Sequence, residues 1–174
     1  MITLICGTNR PENVTSAVVK AYSELLKKRN IDHHILHLEH LPKDFVFNND
    51  VIGNRNPDFS RIVKEAIDGA DKLVFIAPEY NGGFPGVLKA FIDGIWPEVL
   101  KDKKVAFVGV ASGRAGNLRG MDQLTNICHY LNMHVLPFKV PISSIEKFID
   151  KNGAMTEENT LNVLDKQIGL FEKF

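Results

Sequence analysis

The chain is poor in cysteine and tryptophan and has no surplus of either charge. Of 174 residues only two are cysteines, Cys6 and Cys128, and one is tryptophan, Trp96. Two distant cysteines exclude a disulfide framework and fit reduced, buried thiols. Lys plus Arg and Asp plus Glu balance at 21 each. With no basic excess, nothing marks a nucleic-acid partner or an anionic membrane surface. No apolar run approaches the ~20 residues that span a bilayer. The first apolar run, Ile2–Cys6, has no basic leader and is too short for a signal-peptide core, so the expected location is cytoplasmic. Repeats, linkers and low-complexity tracts are also missing, and the length fits a single domain over 1–174.

What is present is a regular alternation of strand-length apolar runs with helical patterns. Strands are expected at Ile2–Cys6, His33–Leu38, Leu73–Ala77, Val105–Val110 and Met133–Leu136, the last extending toward Phe138–Val140. Between them the 3.6-residue stripe predicts helices over Thr15–Arg29, Pro57–Asp68, Phe84–Ile95 and Leu118–Leu131. Pro85 is placed in the first turn of the third of these, where its missing N–H costs nothing. A last helix covers Thr156–Phe171, with Thr156-Glu157-Glu158-Asn159 as its capped start. Strands apolar on both faces with helical crossovers give an α/β fold with a five-stranded parallel sheet covered on both sides. The doubly wound order 2-1-3-4-5 accommodates them. Its switch point lies between strands one and three, where ligands bind beyond the carboxyl ends. The stretch Glu39–Asn56, with Pro42, Asn48-Asn49-Asp50 and Gly53, is expected to be an irregular loop. Its Phe45 and Phe47 either cover a ligand or plug the edge of the core.

Two loops follow the switch-point strands. The first runs from Gly7 to Thr15. Thr8, Asn13, Thr15 and Ser16 supply short polar side chains at a helix start, and Arg10 adds a guanidinium fork that matches phosphate. The same residues also serve an ordinary strand–turn–helix connection with Asn13 or Thr15 as N-cap. Better-known phosphate loops fail on spacing. A Walker A loop needs Gly-Lys-Ser/Thr where the chain has Glu12-Asn13-Val14, and a dinucleotide fingerprint needs glycines at Asn9 and Glu12. A cysteine phosphatase loop starting at Cys6 would need an arginine at Glu12.

The second loop is Pro78-Glu79-Tyr80-Asn81-Gly82-Gly83-Phe84-Pro85-Gly86. Asn81-Gly82-Gly83 permits positive φ, so consecutive backbone N–H groups can face one ligand edge. A phosphate loop beside a flat, donor-rich loop points to flavin mononucleotide (FMN). A third glycine-rich loop, Ala111–Asn117, follows strand four and should neighbour the second. His33, His37 and His40 have helical spacing for a metal, but they fall where strand two belongs, and strand residues alternate faces. No metal site is expected, and Trp96 reads as a packing or interface residue.

These loops resemble those of the NADPH-dependent FMN reductases of flavodoxin-like fold, which include azoreductases, quinone reductases and chromate reductases. The first loop is similar to their Gly-Ser/Thr-x-Arg phosphate loop. Pro78-Glu79-Tyr80-Asn81 with Pro85-Gly86-Val87-Leu88-Lys89 and Ile92-Asp93 resembles their second signature. Ser112-Gly113-Arg114-Ala115-Gly116 with Arg119-Gly120 resembles their third, although Asn117 stands where a second glycine is common. The resemblance implies a flavodoxin-like three-layer sandwich. It assigns Thr8, Arg10, Asn13 and Thr15, with Ser16 beside them, to the FMN phosphate. Pro78, Glu79, Tyr80, Asn81 and Gly82 would line the isoalloxazine, and Ser112 and Gly113 would approach the ring or ribityl chain. The implied activity is hydride transfer from NADPH or NADH to FMN and then to a small acceptor such as a quinone, an azo compound or free flavin. No protein residue is needed as catalytic acid, base or nucleophile. The alternative is a flavodoxin-like electron carrier that does not oxidise NAD(P)H itself. A homodimer or homotetramer is expected, because the helices at Phe84–Ile95 and Leu118–Leu131 carry more apolar residues than one stripe can hold.

Overall fold

Leu4 and Cys6 alternate with Ile5 along β1 (Ile2–Cys6), and the whole strand is buried. Alternation sends Leu4 and Cys6 into one core and Ile5 into the other, so β1 needs a helical layer on each side. The computed structural model, which describes residues 1–48 and 56–174, has those layers. In β1, β2 (His33–His37), β3 (Lys72–Pro78), β4 (Lys104–Val110) and β5 (His134–Val135), neighbouring strands run parallel in the order β2-β1-β3-β4-β5. This is the doubly wound order expected from the alternation.

The last strand departs from expectation. It is two short pieces, β5 (His134–Val135) and β6 (Val140–Ile142), each pairing with β4 at a different height. Pro137, between the two pieces, has no N–H to donate to a ladder.

One face is covered by α1 (Thr15–Lys28) and α7 (Glu158–Lys173), which bury Val18, Tyr22, Leu26, Leu164, Ile168 and Phe171. Arg29 fastens the two helices, reaching Asp165 at 2.7 Å and Glu172 at 2.8 Å. Glu157 caps α7 by accepting from the N–H groups of Asn159 and Thr160.

The opposite face carries α2 (Phe45–Asn48), α3 (Pro57–Val63), α4 (Gly86–Asp93), α5 (Pro97–Leu100) and α6 (Leu118–Tyr130). The helix expected over Pro57–Asp68 widens into a π turn at Lys64–Asp68, where the Thr3 hydroxyl donates to the Ala66 carbonyl at 2.5 Å. The helix expected from Phe84 begins later. Pro85 is its extended N-cap rather than a first-turn residue, and a separate short helix, α5, follows Gly94. The Glu39–Asn56 stretch is not wholly irregular. It contains the end of a 3-10 turn (Leu38–His40) and α2, while residues 49–55 lie outside the described part. Phe45 plugs the core edge by stacking on Phe59 at 5.2 Å, whereas Phe47 is 91% exposed.

Candidate functional site

β1 and β3 end side by side, and their loops meet. Gly7 N–H bonds the Ile76 carbonyl at 2.8 Å, which seats the first loop against β3. An added Cβ on Gly7 would press on Leu88, Ala77 and the Ile76 carbonyl at 3.1–3.2 Å, so a side chain here would force the loop away. Thr8 is fully buried, and its hydroxyl lies 2.7 Å from the Tyr80 hydroxyl. It also accepts from the Arg10 N–H at 3.2 Å.

Asn13 organises the helix start. Its Oδ1 accepts from the Ser16 N–H at 2.9 Å and from the Ser16 hydroxyl at 3.0 Å. Its Nδ2 donates to the Arg10 carbonyl at 2.8 Å. Val14 occupies the N-cap position, so the capping side chain comes from the residue before it. Asn13 and Ser16 thus spend much of their bonding capacity inside the loop. The free donors are elsewhere: the N–H groups of Val14 and Thr15 find no acceptor among the described residues. Arg10 is exposed and makes no ion pair among the described residues. Two N–H groups at the start of a helix beside an uncompensated guanidinium are the donor set that a phosphate requires.

The second loop is a two-residue hairpin. Tyr80 N–H bonds the Gly83 carbonyl at 2.8 Å, and Gly83 N–H bonds the Tyr80 carbonyl at 3.0 Å. Asn81 and Gly82 both have positive φ, at 51° and 76°, as the tight turn demands. This corrects the expected row of free donors. The N–H groups of Tyr80 and Gly83 are consumed in the hairpin, and that of Glu79 bonds the Val110 carbonyl at 2.8 Å. Those of Asn81 and Gly82 find no acceptor among the described residues.

The third loop closes the far side. Gly109 and Gly116 approach so closely that a Cβ on Gly109 would collide with the Gly116 carbonyl. Asn117, buried and left-handed at φ 61°, donates its amide to the carbonyls of Ala77 and Pro78, each at 3.0 Å. Its own N–H reaches the Glu79 carboxylate at 3.1 Å. Asn117 therefore ties the third loop to the second. From behind, the turn after β6 supports the third loop: Ser143 donates to the Arg114 carbonyl at 2.6 Å, and Ser144 N–H donates to that of Gly113 at 3.0 Å.

The three loops line two neighbouring clefts. A 120 Å³ cleft is lined by Arg10, Asn13, Thr15, Pro78, Glu79, Tyr80 and Ser112, among others. A 230 Å³ cleft is lined by Glu79, Asn81, Gly82, Ser112 and Gly113, with Arg114 and Ala115. Glu79, Ala111 and Ser112 border both. Ten of the twelve residues singled out from the sequence thus meet on this surface, and Thr8 and Ser16 lie beneath it. The donor-rich end and the hairpin end suit the phosphate and ring of one FMN molecule.

Sequence reasoning missed Asn117 as the link between loops, although Gly116-Asn117 carries a left-handed turn signal. It also missed Ile145 and Glu146, which reach the smaller cleft from a 3-10 turn (Ile145–Phe148) far along the chain. No local pattern marks those two. Cys6, below the first loop, is fully buried, and burial pushes its thiol up to about 11, although hydrogen bonds from Ser16 and the Thr8 backbone act the other way.

Comparison with known proteins agrees with this geometry. Residues 1–147 match the family model of NADPH-dependent FMN reductases. A 2-hydroxy-1,4-benzoquinone reductase from Burkholderia sp is 33% identical over 113 residues, 62% of this chain and 62% of the relative, so the match spans under two thirds of that protein. An NAD(P)H-dependent FMN reductase from Pseudomonas aeruginosa is 32% identical over 129 residues, 71% of this chain and 69% of the relative. Among solved structures, the flavoenzyme NAD(P)H:(acceptor) oxidoreductase FerB from Paracoccus denitrificans superimposes with a TM-score of 0.79. The superposition covers 99% of this chain and 94% of that one at 23% identity, a likeness of fold.

Proposed function

The chain belongs to the NADPH-dependent FMN reductase family, and we propose that it is an FMN-dependent NAD(P)H oxidoreductase acting on small acceptors. The observation that carries this reading is the junction of the first two loops. At one end lie Arg10 and the N–H groups of Val14 and Thr15, none of them with a side-chain ion pair or backbone acceptor among the described residues, and a Thr8-anchored hairpin lies at the other.

FMN, when bound, supplies the hydride chemistry, and the protein supplies position and electrostatics. Arg10, Val14 N–H, Thr15 N–H and the Thr15 hydroxyl would hold its phosphate. Tyr80, fixed by Thr8, sets the height of the hairpin. The N–H groups of Asn81 and Gly82 are the donors available to the polar edge of the ring, where negative charge develops on reduction. The N–H groups of Ser112 and Gly113 likewise find no acceptor among the described residues, and both residues line the same cleft. No side chain needs to act as acid, base or nucleophile. Reductant and acceptor, a quinone, azo compound or free flavin, use the same open side of the cleft in turn.

Such an enzyme draws on the cytoplasmic NAD(P)H pool, and its two cysteines are free and buried. It assembles as a homodimer or homotetramer through α4 and α6. Ile92, Ile95, Pro97, Ile127, Tyr130 and Leu131 line a 480 Å³ groove between these helices, and Tyr130 is 87% exposed. The groove lies at the C-terminal ends of both helices, away from the ring-side loops at which they begin.

Steady-state kinetics test the shared site. Double-reciprocal plots for NADPH at several quinone concentrations should be parallel. Intersecting lines would show both substrates bound together. A protein that passes electrons only when given a separate reductase would be the flavodoxin-like carrier instead.

A further inference from the structure

We propose that Asn117 is a positioning residue for the ring hairpin, and that its unpaired side-chain oxygen takes the Phe84 N–H as donor when flavin seats that hairpin. The proposal rests on the flavin reading above and adds to it the residue that couples ring binding to the loop behind. Asn117 stands at the N-cap position of α6, yet its side chain makes no capping bond. A capping asparagine ordinarily turns its oxygen to the first N–H groups of its own helix. Here the amide is turned toward β3. Its Nδ2 donates to the carbonyls of Ala77 and Pro78, and two acceptors on one side fix which end of the amide is nitrogen.

That orientation leaves one atom over. Among the described residues, Asn117 Oδ1 is the one buried side-chain nitrogen or oxygen without a hydrogen-bond partner. It has given up water without gaining a donor, which is unfavourable. Gly120, in the first turn of α6, shows what lies beside it. A Cβ added there would collide with Asn117 Oδ1 and stand 2.8 Å from the Phe84 nitrogen. The Phe84 N–H finds no acceptor among the described residues. A buried acceptor and an unused donor therefore border the same small space, left open because residue 120 has no side chain.

Phe84 directly follows the Tyr80–Gly83 hairpin, whose Asn81 and Gly82 N–H groups are, on the flavin reading, donors to the ring. The side chains of α6 back that hairpin. A Cβ on Gly82 would lie 3.9 Å from the Arg119 guanidinium, and one on Gly83 would lie 2.9 Å from the Gln123 amide oxygen. Neither Arg119 nor Gln123 lines the two clefts, so α6 stands on the hairpin's other side. A ring filling the cleft in front presses the hairpin back toward α6, the direction that brings the Phe84 N–H to Oδ1. The new bond adds to flavin affinity in turn, because such coupling is reciprocal. The Asn117 N–H meanwhile donates to the Glu79 carboxylate at 3.1 Å, so one residue acts on both the entry and the exit of the hairpin. A glycine at 117 would supply the left-handed turn, φ 61°, without the acceptor.

The test is amide hydrogen exchange, resolved by NMR, on the full chain with and without saturating FMN. Wild type and Asn117→Gly are compared, since glycine keeps the turn and removes only the side chain. In wild type, FMN should slow exchange at Asn81, Gly82 and Phe84, the last by roughly tenfold. In Asn117→Gly, FMN should still protect Asn81 and Gly82 but leave Phe84 unchanged. FMN affinity should fall roughly twofold to tenfold, the worth of one net hydrogen bond. The wild-type arm decides even if the variant misfolds: protection of Asn81 and Gly82 with no change at Phe84 overturns the proposal and leaves the flavin reading intact. Equal protection of Phe84 in the variant overturns it too. So does protection that falls on the Gly120 amide instead, which would make Asn117 an ordinary helix cap. A wild-type protein that takes up no FMN overturns both readings.

Discussion

The hydroxyls of Thr8 and Tyr80 lie 2.7 Å apart, 72 residues apart in sequence, and join the phosphate loop to the ring loop. Thr8→Val keeps the shape and removes one hydroxyl from a buried position. A net loss of about 0.5–1.5 kcal/mol is expected. For a chain of this length that lowers Tm by roughly 2–4 °C per kcal/mol. Tyr80→Phe should cost a similar amount, and the double variant less than the sum of the two. Additive losses in a thermal-unfolding cycle would mean that the contact does not couple the loops.

Arg10→Ala should weaken FMN binding without unfolding the chain. The Arg10 side chain is exposed and makes no ion pair among the described residues, so its removal leaves no internal gap. Loss of a charge-assisted bond worth about 1.5–3 kcal/mol lowers FMN affinity roughly tenfold to a hundredfold. Riboflavin, which lacks the phosphate, should bind wild type and variant alike. An unchanged FMN affinity by fluorescence titration would remove Arg10 from the phosphate site.

The sheet order and the meeting of the loops were legible because period-2 and period-3.6 patterns are local, and parallel connections leave few topologies. What was not legible depended on distant or paired contacts. The π turn at Lys64–Asp68 follows from Thr3 claiming the Ala66 carbonyl, which no window around Ala66 displays. The hairpin at Tyr80–Gly83 consumes donors that the glycine-rich sequence left apparently free. Glu146 reaches the smaller cleft only because β6 returns alongside β4. The apolar excess on α4 was also read too simply: Leu88, Phe91, Ile92 and Ile95 are all buried within one chain.

The two thiols give a pH prediction. Burial pushes Cys6 up from 9.0 to about 11 and Cys128 to about 12. Both stay protonated in the folded state at pH 9, where unfolded thiols begin to ionise. The unfolded state then binds fewer protons, so these groups reduce stability as pH rises from 9 toward 11. Iodoacetamide at pH 8.5 should label neither cysteine in native protein and both in denaturant. Rapid labelling of Cys6 in the native state would contradict the burial of its thiol.

The α4–α6 groove should be covered by a second copy in solution. Much of the α4 excess is buried internally, but the exposed Tyr130 lies beside Ile127, Leu131 and Pro97. Tyr130→Glu should shift the protein toward monomer with little change in FMN affinity. Sedimentation at micromolar concentration decides the matter, since a single wild-type species near 19.5 kDa would sink the dimer.

The central claim is that these three loops hold a flavin that NAD(P)H can reach directly. The measurement is the visible spectrum of FMN-loaded protein, recorded anaerobically before and after one equivalent of NADPH, with no other protein present. The account predicts loss of the oxidised flavin band within a single turnover and its return on adding a quinone. A bound flavin that stays oxidised in the presence of NADPH and NADH would contradict it.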